Sequence, residues 1–111
     1  MLNFRPSASD SGKYYYTAFD ENENICGKAE FKLCGYTMDI TDVDVASCDA
    51  ETQEGLIRSA LNFGANRNAY IAFFSSEKAV DTALLLGFEK NEDRLCGEIP
   101  FLLAGKCCKK D

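Results

Sequence analysis

Acid is the chemistry this chain carries most of, and imidazole is the chemistry it lacks altogether. Asp39, Asp42 and Asp44 stand close together in the run Tyr36–Val45, YTMDITDVDV. Carboxylates so spaced on one edge of a strand can flank an amine and take its proton. Carboxylates so placed are more often the solvated face of a half-buried strand. A second acidic stretch, Cys48–Gly55 (CDAETQEG), has three carboxylates and no base, with a thiol at its start. A helix beginning just after Cys48 would lower that thiol's pKa, but the neighbouring carboxylates act the other way. Tyr14, Tyr15 and Tyr16 are possible proton donors, although consecutive aromatics more often pack on both faces of a strand. With no histidine in the chain, Ser/His/Asp and Cys/His triads are excluded and the commonest metal ligand is missing.

Six cysteines stand at 26, 34, 48, 96, 107 and 108, none in a C-x-x-C pair. That spacing suits neither a zinc site nor a redox motif. The N-terminal MLNFRPSASD does not read as a secretory signal, so reduced thiols and a cytoplasmic location are expected. No apolar run approaches the ~20 residues of a membrane span. A formal charge of −6 repels phosphate backbones and anionic lipid, which argues against nucleic-acid and membrane partners. One domain over 1–111 is expected, with 1–12 a short N-terminal segment and 105–111 (GKCCKKD) a flexible tail.

The elements that must position these groups can be read from period and punctuation. Lys13–Phe19 (KYYYTAF) is β-branched and aromatic, and DENEN after it is a turn. In Lys28–Cys34 charges alternate with Ala29, Phe31 and Leu33, the pattern of a half-buried antiparallel strand. Gly35 then allows a tight turn. In Tyr36–Val45 the residues Tyr36, Met38 and Ile40 share one face while Val43 and Val45 fall in the opposite phase. A slip of phase inside a strand is what one extra residue produces, so a β-bulge is predicted near Thr41–Asp42. From about Ala50 the period becomes helical, with Leu56, Ile57, Ala60, Leu61 and Gly64 on one stripe, ending near Arg67–Asn68 where Asn suits a left-handed cap. Ala69–Phe74 (AYIAFF) reads as a strand buried on both faces. Ser75 or Ser76 can cap a second helix through Leu86, stopped by Gly87. Phe88–Lys90 and Glu98–Ala104 read as final strands.

This order, with these local sequences, resembles the GNAT N-acetyltransferase superfamily over roughly residues 13–105. Four features carry the likeness: Ile25-Cys26-Gly27-Lys28-Ala29 at the third strand, the bulge in the fourth, Leu56–Asn68 followed by AYIAFF, and SEKAVDTALLLGFEK. The last is similar to N-x-x-A-x-x-L-Y-x-x-x-G-F-E, with Ala79 eight residues before Gly87. The resemblance implies an α/β (α+β) fold: a mixed central sheet with an antiparallel N-terminal meander, two main helices, and a bulge in the strand before the first long helix. It also implies acetyl-CoA as cofactor, its pantetheine arm lying between two strands splayed by the bulge.

The same likeness exposes departures. The family's pyrophosphate loop, Arg/Gln-x-x-Gly-x-Gly/Ala, falls on Cys48, Glu51 and Gln53, where acid replaces glycine and base. Gly55 could serve only if the loop were shifted by two residues. The family's tyrosine acid falls on Ala83, which can donate no proton, and its asparagine on Ser76, which can still donate one hydrogen bond. By resemblance the cofactor candidates are Val43, Val45, Gln53, Gly55 and Ser76; the catalytic candidates are Asp42, Asp44 and Cys48. No metal site is expected. The reading is a GNAT-like protein with impaired or lost acetyl transfer that acts by binding or association. The alternative is an active acyl-CoA-dependent N-acyltransferase of an unknown amine, using main-chain groups of the splayed strands. Residues 1–12 leave no room for the family's first two helices, so an apolar face of Tyr14, Tyr16, Ala29, Phe31, Leu33, Met38 and Ile40 is expected to stand bare. A homodimer covering it is the economical outcome; the other is that the N-terminal segment folds back over the gap, anchored by Leu2 and Phe4.

Overall fold

The computed structural model describes residues 2–8, 12–46 and 49–104. The strands are β1 (Asn3–Ala8), β2 (Lys13–Phe19), β3 (Ile25–Cys34), β4 (Thr37–Val45), β5 (Ile71–Phe74), β6 (Glu89–Asn91) and β7 (Arg94–Glu98). They form one sheet in the order β1-β2-β3-β4-β5-β7-β6. Only β4 and β5 are parallel, joined through the helix α1 (Ala50–Ala65). Two short helices follow, α2 (Val80–Leu86) and α3 (Ile99–Ala104). This is the mixed sheet with an antiparallel meander that the sequence implies.

Alternation along β2, β3 and β4 sends one set of side chains toward α1. Ala29, Phe31, Ile40 and Val43 are fully buried there, in one core with Leu56, Ile57, Ala60 and Leu61 of the α1 stripe. Phe63 of α1 packs on Tyr14, Tyr16 and Phe31, with ring centroids 4.9, 6.1 and 5.4 Å away. Close approach needs Gly64, because a Cβ there would collide with the Met38 sulfur. The apolar face expected to stand bare is therefore covered from within the chain, and the argument for a partner on that face falls. Asn68, at φ +72°, ends the α1 region in the expected left-handed conformation.

The bulge lies where the apolar phase slips. Phe31 pairs with Ile40 and Glu30 with Asp42, so Thr41 is the extra residue. Its hydroxyl lies 3.2 Å from the Glu30 carbonyl and 2.9 Å from Glu30 Oε2. That contact, with Lys13 behind it, holds the Glu30 carboxyl below its ordinary pKa. A second irregularity, at Cys26, lies opposite Ala18 and Phe19.

Four expectations need correction. Residues 3–8, read as part of a short N-terminal segment with no strand assigned, form β1 in full register with β2. Of β5, Ala72 and Phe74 are buried while Ile71 and Phe73 are only half-buried, so one face of that strand is partly open. Neither Ser75 nor Ser76 caps α2, because Ala79 at φ +62° interrupts the chain and the helix starts at Val80. Residues 99–104 are helical, with Pro100 in the first turn, where a missing N–H costs nothing; the strand there is Arg94–Glu98. Cys48, Cys107, Cys108 and the tail 105–111 lie outside the described residues, and Cys26, Cys34 and Cys96 are free thiols.

Candidate functional site

Up to the bulge, β4 and β5 are paired, Thr37 with Ile71 through Ile40 with Phe74. The Ile40 carbonyl accepts one more bond, from Ser75 N–H at 2.9 Å. Past Thr41 the ladder stops, and β4 continues to Val45 with its β5 side released. A main-chain edge freed in this way can hydrogen-bond an extended ligand. Here Val43 N–H donates to Ser76 Oγ at 3.2 Å. The two-residue period of a strand turns Val45 N–H the same way. Ser76 is buried, its oxygen accepts a second bond from Lys78 N–H at 3.0 Å, and its hydroxyl lies 3.0 Å from the Lys78 carbonyl. Two of the cofactor candidates are thus bonded to each other. The neighbouring Ser75 hydroxyl donates to Asp39 Oδ1 at 2.8 Å, fixing the same turn to β4 a second time.

On the opposite side of β4, Asp42 and Asp44 are brought together by alternation around Val43. Between them sits Lys78, with Nζ 3.7 Å from the Asp42 carboxylate and 3.6 Å from that of Asp44. All three side chains are well exposed, so each contact contributes well under about 1 kcal/mol. Nothing in the spacing of SEKAV signals that its lysine would reach these aspartates, which lie more than thirty residues earlier.

The acidic stretch opens α1 as expected. Asp49 occupies the N-cap position, but its carboxylate accepts the Thr52 hydroxyl at 2.7 Å and bonds no backbone N–H. Glu54 pairs with Arg58 at 2.9 Å. Gln53 Oε1 accepts the hydroxyl of Thr82, a buried α2 residue, at 2.6 Å, which ties α1 to α2. Gly55 lies under the ring of Phe4, and a Cβ there would run into it. Leu2, Phe4, Asp49, Glu51, Glu54, Gly55 and Arg58 together line a shallow cleft. Phe4 and Thr82 were not legible as site residues, since what they touch is decided by β1 pairing and helix packing.

Ala83 is 0% exposed, within the core that also holds Phe74 and Phe88. A tyrosine at that position would have to displace packed side chains before its hydroxyl reached the splay. Among the described residues, no three Cys, Asp or Glu are arranged to hold a metal ion.

No family model matches the sequence, and no curated protein does. Solved structures do match the fold. One is a mutant form of the spermidine/spermine N-acetyltransferase from Vibrio cholerae, with TM-score 0.68 and 15% identity over 86% of this chain and 69% of that one. The spermidine N-acetyltransferase from Vibrio cholerae in complex with CoA and spermine gives 0.65 and 17%, over 85% of this chain and 70% of that one. A GNAT-family acetyltransferase from Staphylococcus aureus gives 0.62 and 14%, over 81% and 70%. The chain has the GNAT acetyltransferase fold, in a shorter form than these neighbours.

Proposed function

We propose that this chain is a GNAT-fold protein whose acetyl-CoA-dependent N-acetyl transfer is impaired or lost, and which acts by binding or association. The observation that carries the proposal is the bond from Val43 N–H to Ser76 Oγ at 3.2 Å. The main-chain group released by the bulge is already satisfied, so an incoming amide must first displace a buried serine. The start of α1 agrees. Gly55, the one glycine near it, is closed off by Phe4, and the stretch that by resemblance stands for the pyrophosphate loop carries Asp49, Glu51 and Glu54. An unneutralised carboxylate against a phosphate in partly dry surroundings costs on the order of a few kcal/mol. At Ala83 no side chain can protonate a departing thiolate. These residues do not fit acetyl-CoA.

The reading extends to a cytoplasmic protein that binds neither nucleic acid nor membrane, consistent with its acidity. No described helix is long and apolar enough to cross a membrane. A second reading, an acyl-CoA-dependent N-acyltransferase of a small amine, draws on one observation: Asp42 and Asp44 already hold an ammonium group, that of Lys78. Calorimetry with acetyl-CoA and desulfo-CoA at low salt separates the two. The expected result is no measurable heat below millimolar ligand. A dissociation constant in the low micromolar range would overturn the first reading and favour the second.

A further inference from the structure

The described helices occupy one face of the sheet. Thr82 of α2 bonds Gln53 of α1, Arg58 of α1 reaches the Leu103 carbonyl of α3, and Leu102 packs over Gly97. No described helix lies on the opposite face.

That open face is polarised. Alternation and register place Arg5, Lys13, Lys28 and Lys32 on it from β1, β2 and β3, with Glu30 the carboxylate among them. Arg5 is paired with Glu23 of the turn after β2 and Lys13 with Glu30. From the other half of the sheet come Asp39, Asp42 and Asp44 of β4, Glu98 of β7 and Glu89 of β6, against Arg94. Lys78 reaches in from its loop to two of these acids. The boundary between the halves runs between β3 and β4. Its rows are in register, Lys32 opposite Asp39, Glu30 opposite Asp42 and Lys28 opposite Asp44, so the outer rows pair opposite charges and the middle row pairs two acids.

We propose that two copies of this chain pair through this face, the basic strands of one copy over the acidic strands of the other. The symmetry follows from the charge pattern. A two-fold axis lying in the interface, parallel to the strands and between β3 and β4, turns one half of the face onto the other while keeping each row at its own height. Lys32 of one copy then stands over Asp39 of the second, and Lys28 over Asp44. Glu30 stands over Asp42, an acidic row in which each carboxylate has a lysine of its own chain beside it, Lys13 for Glu30 and Lys78 for Asp42. One self-complementary patch is all a two-fold pair requires, and sheets packed face to face lie about 10 Å apart, a gap that lysine stems span. The aromatics on this face are capped by cations of the same chain: Arg5 over Phe19 at 4.5 Å, Lys28 over Tyr15 at 4.8 Å and Arg94 over Phe73 at 3.8 Å. No bare apolar patch drives the pairing, which is electrostatic and sensitive to salt. The proposal rests on the association half of the functional reading above and names its surface.

Two double variants test it by sedimentation, with circular dichroism to verify folding. Lys28→Glu with Lys32→Glu makes both halves acidic, and Asp42→Lys with Asp44→Lys makes both halves basic. The wild type is expected to shift from 12.3 kDa toward twice that mass with concentration, its association weakening roughly tenfold or more between low salt and 0.5 M. Each variant alone is expected to stay monomeric, and an equimolar mixture of the two to form a mixed pair. A wild type that remains at 12.3 kDa up to ~1 mM at low salt overturns the proposal. So does a dimer that survives both reversals, or a pair of folded variants that do not associate when mixed. If one variant does not fold, the wild-type salt series still decides. A monomer without acetyl-CoA binding ends this inference and leaves the loss of transfer standing, and a salt-sensitive dimer that binds acetyl-CoA tightly does the reverse.

Discussion

The two faces of the sheet are built from the same strands, often from adjacent residues, yet they obey different physics. Phe31 points to α1 and is fully buried among Tyr14, Tyr16 and Phe63. Lys32, next in the chain, points the other way and is exposed. On the α1 face stability comes from close packing, which tolerates little change of shape. On the open face it comes from screened charges, each worth little alone, so that face can be rewritten for association at small cost to the fold. The splay between β4 and β5 is where the two regimes meet: a buried serine closes it from one side and an exposed lysine guards the other.

The contrast breaks most visibly at that adjacent pair. Phe31→Ala is expected to lower unfolding free energy by about 3–5 kcal/mol in urea titration, while Lys32→Ala stays within roughly 0.5 kcal/mol. Equal losses would mean that Lys32 is packed as closely as Phe31. Ala83→Tyr comes next. Restoring the family's tyrosine overfills the core, so a loss of about 1–3 kcal/mol is expected, with no appearance of acetyl transfer in a thiol-release assay. Transfer gained without loss of stability would show that the position opens to the cleft.

Ser76→Ala leaves Val43 N–H without its partner, and a cost of about 1–3 kcal/mol is expected. Amide exchange at Val43 should quicken while that of Ile40, on the paired side of the bulge, is unchanged. Equal protection at Val43 in the variant would show that another group satisfies it. The smallest effect is a pH dependence. The Glu30 carboxyl is held below its ordinary value of 4.5, first by the Thr41 hydroxyl and then by Lys13. A carboxylate with a lowered folded pKa contributes stability above its unfolded pKa and loses it as pH falls through the folded one. The gap between wild type and Thr41→Val, about a few tenths of a kcal/mol in its pH-dependent part, is therefore expected to be constant above 4.5 and to shrink below it. A gap that widens in acid would reverse the assignment.

Much of the fold was legible because local rules set it. The bulge could be placed at Thr41 from the phase slip between Ile40 and Val43, since side-chain direction on a strand depends only on counting. The left-handed Asn68 and the stop at Gly87, at φ +121°, followed from backbone preference. Errors arose where a local signal was put to another use. Ser76 looks like a helix cap, but its hydroxyl is engaged by Val43, 33 residues away, and by Lys78. Ile99–Ala104 reads as a strand because its residues are apolar, and becomes a helix because Leu102 must sit on Gly97. The site was legible as a set of departures from the family pattern, at Glu51, Gln53 and Ala83. How the vacated places are filled was not.

By itself, then, the sequence determined β2 to β5, the bulge, the long helix and the acid at that helix's start, because period, turn chemistry and charge act within a few residues of chain. Only the tertiary structure decided that Phe4 lies on Gly55, that Ser76 meets Val43, that Lys78 sits between Asp42 and Asp44, and that Gln53 is tied to Thr82. It also decided that the three described helices share one face and that no described helix lies on the charged one. Those contacts join segments far apart in the chain. They follow from the side on which α1 crosses between β4 and β5, a choice set by the handedness of the crossover and not by any residue taken singly.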